Sequence, residues 1–280
     1  MKRTILVGLS AFILLLPAQA IAAPVINLNR TIQTTPFTGT TIKMIDHEGS
    51  AYVSSNDSLW LADDDGDAIF EVDAGTGVLK RKIPQTDFNA APLLGGGPTA
   101  GPNRTEDFES IAYDQNSDAL YVFSGPCCSA SIHPTAFRLV RVSGTFQVES
   151  HQRLPEAGAN YTAAAWNAGD DTIYVGYKSL FRSFDYATGT VGPTFSVGTI
   201  SGITGMDFSS SGTDLFVTTG AERLRRINWT RKSSGWNLDL RPFSVLDSRA
   251  VALIGGQYFV SDGAPRTGTL KNAVFVFDIT

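Results

Sequence analysis

A short phrase that recurs along the chain constrains its fold more than any other feature. The phrase runs from Asp46 to Tyr52 (DHEGSAY) and returns, with changed letters, at 107–113, 160–166, 202–208 and 247–253. In four of the five copies an apolar segment such as Leu59-Trp60-Leu61 begins eleven residues after the third position, and in the fifth the distance is nine. A constant offset of this kind is expected from two antiparallel strands joined by one fixed turn. The chain is therefore predicted to be an array of similar sheet units.

Further strands follow the first two in each unit. Third strands are predicted at 69–73, 137–142, 180–185, 224–228 and 273–278, and fourth strands at 78–83, 146–153, 191–197 and 236–243. The fifth unit has no fourth strand, but the segment 25–32 has a suitable composition. We therefore predict an all-β protein, a five-bladed β-propeller that the N-terminal strand closes, with six blades as the alternative.

The first 23 residues have the pattern of a signal peptide. Lys2 and Arg3 precede an apolar run at 5–16, and small residues at 18–20 or 20–22 form a cleavage site. The run is shorter than the roughly 20 residues that a membrane-spanning helix needs. We therefore predict a secreted or periplasmic protein without membrane insertion, in which residues 24–280 form a single propeller domain. Residues 86–103, rich in Gly and Pro, are predicted to be a long loop between blades.

The charge balance restricts the class of partner. Without Lys2 and Arg3, 20 of the 22 basic residues remain against 27 acidic ones, a net charge of −7. An acidic surface disfavours nucleic acid and anionic membranes as partners. We expect a monomer that binds a small molecule or another protein.

The openings of the five phrases are predicted to form a ring at one mouth of the central channel, because the first strand of each blade surrounds the channel. The third position of the phrase supplies Glu48, Glu109, Thr162, Thr204 and Arg249. The first position supplies Asp46, Asp107, Asn160, Gly202 and Asp247. The first two units therefore place four carboxylates together at this mouth.

Hard oxygen ligands that converge on one point suit Ca²⁺. We interpret Asp46, Glu48, Asp107 and Glu109 as candidate metal ligands, and Asp247 and Arg249 as further ligand-binding residues. The alternative is that these acids cap backbone amides at strand starts or pair with Arg104 and Arg249.

Two other features invite a functional interpretation. The run from Asp63 to Asp67 resembles a calcium loop, but its spacing favours a turn between strands that assists a cation at most. Cys127 and Cys128 are the only cysteines, and in an exported protein a disulfide between them is one prediction. Free thiols or an intermolecular bond are the alternatives, since neighbouring Cα atoms lie closer than disulfides prefer.

The Glu-Gly opening, followed by an aromatic residue and then Leu-Trp-x-x-Asp, resembles the calcium-dependent lactonases (gluconolactonase-like), the phytase-like propellers and the NHL-repeat propellers. The lactonase resemblance implies a metal ligand at Glu48. The Asn and Asp ligands of that family fall on Thr204 and Thr219, which differ from its pattern. The phytase-like resemblance implies calcium at Asp46 and Glu48, although the basic phosphate-binding cluster of that group is reduced here to Arg104 and Arg249.

Three functions remain open at this point. The first is an exported propeller that binds a ligand or partner at its acidic channel mouth, with Ca²⁺ as the candidate cofactor. The second is a metal-dependent hydrolase, either a phytase-like phosphoesterase or a lactonase. The third is a protein-interaction scaffold without a small-molecule site.

Overall fold

The fold was analysed in a computed structural model, which describes residues 23–34, 44, 46–94, 107–125, 133–198, 200–263 and 273–280. These residues form five four-stranded antiparallel sheets, one short α-helix, α1 (Gln85–Asn89), and two 3-10 helices, at Ser54–Asn56 and Arg241–Phe243. The prediction of an all-β, five-bladed propeller is confirmed.

The strands of the first three blades follow one another in the order in which they pair. Blade 1 contains β2 (His47–Val53), β3 (Ser58–Asp63), β4 (Ala68–Asp73) and β5 (Leu79–Pro84). Blade 2 contains β6 (Phe108–Asp114), β7 (Ala119–Ser124), β8 (Thr135–Val142) and β9 (Thr145–Arg153). Blade 3 contains β10 (Ala163–Asn167), β11 (Thr172–Tyr177), β12 (Leu180–Asp185) and β13 (Thr190–Val191).

Blade 4 follows the same order, whereas blade 5 takes one strand from the other end of the chain. Blade 4 contains β14 (Ile203–Phe208), β15 (Asp214–Thr219), β16 (Arg223–Asn228) and β17 (Ser233–Asp239). Blade 5 contains β18 (Ser248–Ile254), β19 (Gln257–Asp262), β20 (Ala273–Ile279) and, from the other end of the chain, β1 (Ile26–Gln33).

The N-terminal strand closes the ring as the sequence predicts. β1 pairs antiparallel with β20, from Ile26 opposite Ile279 to Gln33 opposite Ala273. The first strand of each blade packs on that of the next, and β18 of the last blade packs on β2 of the first. Closure leaves no open end of the array, which is the usual weakness of sheet proteins.

The hydrophobic core lies in layers between adjacent blades. Trp60 of blade 1 and Phe137 of blade 2 are fully buried in one such layer, and Phe275 of blade 5 is buried in another. Inner strands such as β3 and β7 are buried on both faces because each blade packs against a neighbour on either side, and burial of a large apolar side chain is worth roughly 1.5–3 kcal/mol.

Two sequence predictions were wrong in detail. The fourth strand of blade 3, predicted at 191–197, is limited to Thr190–Val191, and only an isolated bridge between Phe181 and Phe195 extends it. The predicted loop at 86–103 begins with α1, whose Phe88 is fully buried between blades 1 and 2. A single aromatic residue that fills a gap in the core accounts for the helix at Gln85–Asn89, whereas a Gly/Pro-rich composition predicts a loop.

The central channel is constricted halfway along the first strands. A Cβ atom on Gly49 would lie 2.6 Å from Cα of Ser110, and one on Gly205 would lie 2.4 Å from Cα of Ala250. Glycine is required here because the backbones of neighbouring blades approach so closely. The constriction leaves no room for a water molecule, so the channel has two separate mouths.

The described residues contain no helix with the length and apolar character that crossing a membrane demands. Residues 1–22, on which most of the predicted signal peptide falls, lie outside the described residues.

Candidate functional site

The acidic mouth is the end of the channel where the first strands begin. Its described side chains are Asp46, Glu48, Asp64, Asp107, Glu109, Asp247 and Arg249. In blade 1, His47 pairs with Asp63 and Gly49 pairs with Ala62, so Glu48 is an extra residue in the ladder. Glu109, Thr204 and Arg249 occupy the same kind of register shift in their blades. A bulge of this kind re-aims a side chain, which explains why the third position of the phrase reaches the mouth.

Three carboxylates of blade 1 converge at this mouth. Asp46, Glu48 and Asp64 each place one carboxylate oxygen within 4.8 Å of the others, a spacing that suits a shared metal ion. The Oδ1 atom of Asp46 is buried and has no hydrogen-bond partner. A buried carboxylate oxygen without a donor is costly unless a cation or water satisfies it, so the chemistry of this donor set fits Ca²⁺.

Asp64 reaches the cluster from the turn that follows β3. The backbone N–H of Asp64 donates to the carbonyl oxygen of Asp46, and those of Gly125 and Gly263 make the equivalent bonds in blades 2 and 5. Blade 1 therefore carries a carboxylate where the other two blades have no side chain. The run from Asp63 to Asp67 is a turn, as its spacing predicts, and one of its members also joins the candidate metal site.

Buried aspartates at the ends of the second strands position the loops that carry the site. The Oδ2 atom of Asp63 accepts a hydrogen bond of 3.1 Å from the backbone of Asp46. Asp262, its equivalent in blade 5, accepts one of 3.1 Å from the backbone of Asp247. Both carboxylates are almost fully buried, so they fix the backbone and are not themselves available to a ligand.

Arg249 is the cation that pairs with the carboxylates of this mouth. Its Nη1 atom lies 2.9 Å from Oε2 of Glu48, and its Nε atom lies 2.9 Å from Oδ2 of Asp247. Burial lowers the pKa of Arg249, but the two carboxylates outweigh this effect and raise it. The pairing alternative that the sequence left open is therefore realised for Glu48 and Asp247, while Arg104 lies outside the described residues.

Blade 2 and the segment that leads into blade 3 contribute a second group of oxygen atoms. The Nδ2 atom of Asn160 donates a 2.6 Å hydrogen bond to Oε1 of Glu109, and the Oδ1 atom of Asn160 is buried without a partner. A Cβ atom on Gly125 would meet Asp107 Oδ2 at 2.6 Å, Asn160 Oδ1 at 2.8 Å and Glu109 Oε1 at 2.9 Å. Three oxygens from two segments thus converge next to a glycine that leaves them room.

Crowding and burial raise the pKa values of these acids. Burial raises the pKa of Glu48 well above its usual range, although Arg249 opposes the shift. Burial and then Asp107 raise the pKa of Glu109 to about 8, and the same causes raise that of Asp64 to about 6. Burial also raises the pKa of Asp46. Without a cation these carboxyl groups therefore tend to hold their protons, and a bound cation would favour their charged forms.

Blades 3 and 4 add no carboxylate at the third position of the phrase. The hydroxyl groups of Thr162 and Thr204 donate to the backbone of the next blade, at Ile203 and Ser248 respectively. Thr219, where the lactonase resemblance places an Asp ligand, is fully buried with a neutral hydroxyl. The ligand set that this resemblance implies is therefore incomplete in blade 4, and the candidate metal cluster lies to one side, on blade 1.

The sequence predicts six residues of this mouth as ligand-binding residues. It places Asp64 in a turn that assists a cation at most, although the glycines at the equivalent positions 125, 220 and 263 mark Asp64 as an exception to the repeat. It places Asn160 in the ring but does not indicate that Asn160 pairs with Glu109. Cys127 and Cys128 lie outside the described residues, so the disulfide between them stays a prediction.

Comparison with known proteins supports the fold. No protein-family model and no curated protein matches the chain by sequence. The structure resembles the glutaminyl cyclase of Myxococcus xanthus with a TM-score of 0.62 and 10% identity, over 92% of this chain and 97% of that protein. It resembles a gluconolactonase of Xanthomonas campestris with a TM-score of 0.53 and 13% identity, over 85% and 88% respectively. The chain therefore has a propeller fold that is shared with enzymes, including the lactonase group that the sequence resembles.

Proposed function

We propose that this protein is a calcium-binding propeller that uses its acidic mouth to bind a ligand. The observation that carries the proposal is the convergence of Asp46, Glu48 and Asp64, whose carboxylate oxygens lie within 4.8 Å of one another. The unpartnered Oδ1 atom of Asp46 supports it independently. Oxygen donors of this charge favour Ca²⁺ over softer metals.

The oxygens of Glu109 and Asn160 give the ligand a second point of contact. These two residues belong to blade 2 and to the segment that leads into blade 3, and Asn160 keeps one oxygen without a partner. A ligand that contacts both the ion and these oxygens would lie within the mouth, so we infer a small polar molecule as the occupant. The acidic walls favour a neutral or cationic ligand over an anion.

Calcium binding is tested by calorimetric titration of protein stripped with a chelator, together with thermal unfolding. An ion that binds only the folded state stabilises it by RT ln(1 + [Ca²⁺]/Kd), about 2.7 kcal/mol at a hundredfold excess over Kd. Replacement of Glu48 with Gln should abolish most of this gain, while Asp87→Asn, at an exposed carboxylate on α1, should leave it intact.

The Glu48→Gln variant also separates a metal site from simple capping. In metal-free protein the substitution removes a carboxylate whose charged form is disfavoured by burial, so the variant should be at least as stable as wild type. With calcium it should be the less stable of the two. If neither calcium nor chelator changes the unfolding midpoint of the wild-type protein, the proposal is contradicted.

A metal-dependent enzyme is the second candidate, and Glu109 is the observation that favours it. Its raised pKa of about 8 means that the carboxyl group holds a proton at neutral pH, as a general acid must. The likeness in fold to a glutaminyl cyclase and a gluconolactonase, together with the phytase-like resemblance of the sequence, suggests the activities to assay, namely glutaminyl cyclisation, lactone hydrolysis and phosphate-ester hydrolysis. Turnover that Glu109→Gln abolishes without loss of calcium binding would establish this function.

A further inference from the structure

The opposite end of the channel opens into a cavity of about 380 Å³. We call it the aromatic mouth, because the last position of the repeated phrase lines it with Tyr52, Tyr113, Trp166, Phe208 and Leu253. The constriction at Gly49 and Gly205 separates it from the acidic mouth. Its volume falls within the range of small-molecule binding sites.

Aspartates in the following turns fix three of the aromatic side chains. The hydroxyl groups of Tyr52 and Tyr113 donate to Asp57 and Asp118, each at 2.9 Å, and Nε1 of Trp166 donates at 3.1 Å to Asp171. Each aspartate stands five residues after its partner with a positive φ of 48–54°. The rings are thereby held in place before any ligand arrives, which lowers the entropic cost of binding.

Asp207 breaks the repeat in this cavity. The equivalent position in the other four blades is an alanine, at 51, 112, 165 and 252. Among the described residues that line the cavity, Asp207 is the only charged one. Its Oδ1 atom accepts a 2.8 Å hydrogen bond from the backbone N–H of Phe208, and its Oδ2 atom accepts one of 2.7 Å from the backbone N–H of Leu253 in blade 5. A carboxylate has about four acceptor sites, so two remain for a ligand.

A carboxylate at this position is costly to the fold. Burial raises the pKa of Asp207 to about 7, although two backbone donors oppose the shift. The four alanines show that the propeller accommodates a small apolar residue at this point of the strand. No basic side chain lines the described part of the cavity to balance the charge. A ligand that binds here would therefore supply the positive charge that the cavity lacks.

We propose that the aromatic mouth binds a small organic ammonium cation, with Asp207 as its counter-ion and the rings of Tyr52, Tyr113 and Trp166 around its apolar part. Aromatic faces attract such cations through their quadrupole, and a single carboxylate adds the complementary charge. The proposal does not depend on the function of the acidic mouth, because the constriction separates the two sites.

The test compares choline with its neutral isostere 3,3-dimethylbutan-1-ol, by calorimetry and by the fluorescence of Trp166. We expect choline to bind and to perturb the fluorescence, and the alcohol to bind at least about tenfold more weakly, since it lacks the cation. Asp207→Ala installs the residue of the other blades and should abolish the preference for choline. Trp166→Leu installs the side chain of blade 5 and should weaken choline binding and remove the fluorescence change.

Two further variants keep the test decisive. Asp207→Asn retains the shape and acceptor oxygen if the alanine variant fails to fold, and should lose choline binding in the same way. Glu48→Gln, at the other mouth, should bind choline as wild type does. Equal affinity for choline and the alcohol, no binding of choline at millimolar concentration, or unchanged choline binding in Asp207→Asn would each overturn the proposal.

Discussion

Arg249 of blade 5 forms an ion pair with Glu48 of the neighbouring blade 1, with its Nη1 atom 2.9 Å from Oε2. The same guanidinium also lies 2.9 Å from Asp247 through its Nε atom. One side chain thus neutralises two carboxylates at the blade junction, next to the candidate calcium site. Arg249 and a bound ion would therefore both neutralise carboxylates of the acidic mouth.

The first prediction follows from this shared role. In Arg249→Gln, the nearly buried carboxylate of Glu48 loses its cationic partner, so the metal-free protein should be less stable by about 1–2 kcal/mol, a value reduced for the partial exposure of Arg249. Calcium should restore more stability to this variant than to wild type. Urea unfolding with chelator and with calcium measures both effects. The stability of Arg249→Lys should fall between that of wild type and that of Arg249→Gln. An equal loss in both conditions would mean that Arg249 acts apart from the ion site.

The second prediction concerns the oxygens of Asp107, Glu109 and Asn160. Gly125→Ala would place a methyl group within 3 Å of oxygens of Asp107, Glu109 and Asn160, and should break the hydrogen bond between the last two. Gly220→Ala is the matched control, because it occupies the equivalent place in blade 4 and its nearest neighbour would lie 3.9 Å away. Gly125→Ala should therefore lose ligand binding or turnover at the acidic mouth, whereas Gly220→Ala keeps it.

The third prediction concerns pH. His47 is fully buried, and burial lowers its pKa from 6.5 to about 4. The unfolded chain takes up a proton below about pH 6.5 and the folded chain only near pH 4, so the free energy of unfolding should fall as the pH drops through this window. We expect a loss of about 1–3 kcal/mol over this window.

A comparison between wild type and His47→Gln isolates this effect. The comparison is needed because the raised pKa of Asp207 acts in the opposite direction: its contribution to stability decreases as the pH rises from 3.8 towards 7. Denaturant unfolding at several pH values should show a steeper decline at acid pH in wild type than in His47→Gln. Parallel curves would show that His47 does not titrate in this range.

The fourth prediction tests the closure of the ring. Gly77, in the turn between β4 and β5, has φ +72°, and a Cβ atom there would lie 2.2 Å from Cγ2 of Ile32 on the closing strand. Gly77→Ala should cost about 2–4 kcal/mol from backbone strain and overlap together. Gly144→Ala, with φ +85° and no neighbour within 4 Å, carries the strain alone and should cost about 1 kcal/mol.

A double-mutant cycle with Ile32→Ala completes this test. Ile32→Ala removes the methyl group that would overlap, so the cost of Gly77→Ala should be smaller in that background. Additive losses would mean that β1 does not pack on blade 1 as described.

The repeat in the sequence determines much of this fold because it reports the period of the blades directly. It predicted five blades, the closing role of β1 and the mouth to which Glu48 and Glu109 contribute. It did not predict the short fourth strand of blade 3 or the helix around Phe88, because both depend on how side chains fill space between blades. The pairing of Glu109 with Asn160 depends on a bulge and on contacts between blades, which no local pattern in the sequence records.

The pairing of β1 with β20 has a consequence for how the protein is made. Val25 and Thr280 exchange two backbone hydrogen bonds, of 2.9 and 3.0 Å, so the fifth sheet draws on the first and last described segments of the chain. During synthesis, β1 emerges from the ribosome with its partner still untranslated, and it remains an unpaired edge until β20 follows. A second, incomplete copy of the chain could capture this strand in the meantime, because the same register is available to either molecule. Because Val25 and Thr280 lie side by side in the closed ring, a covalent link between these two residues could be combined with a break in the chain at a turn such as Ser143-Gly144. Such a circularly permuted chain should retain every blade.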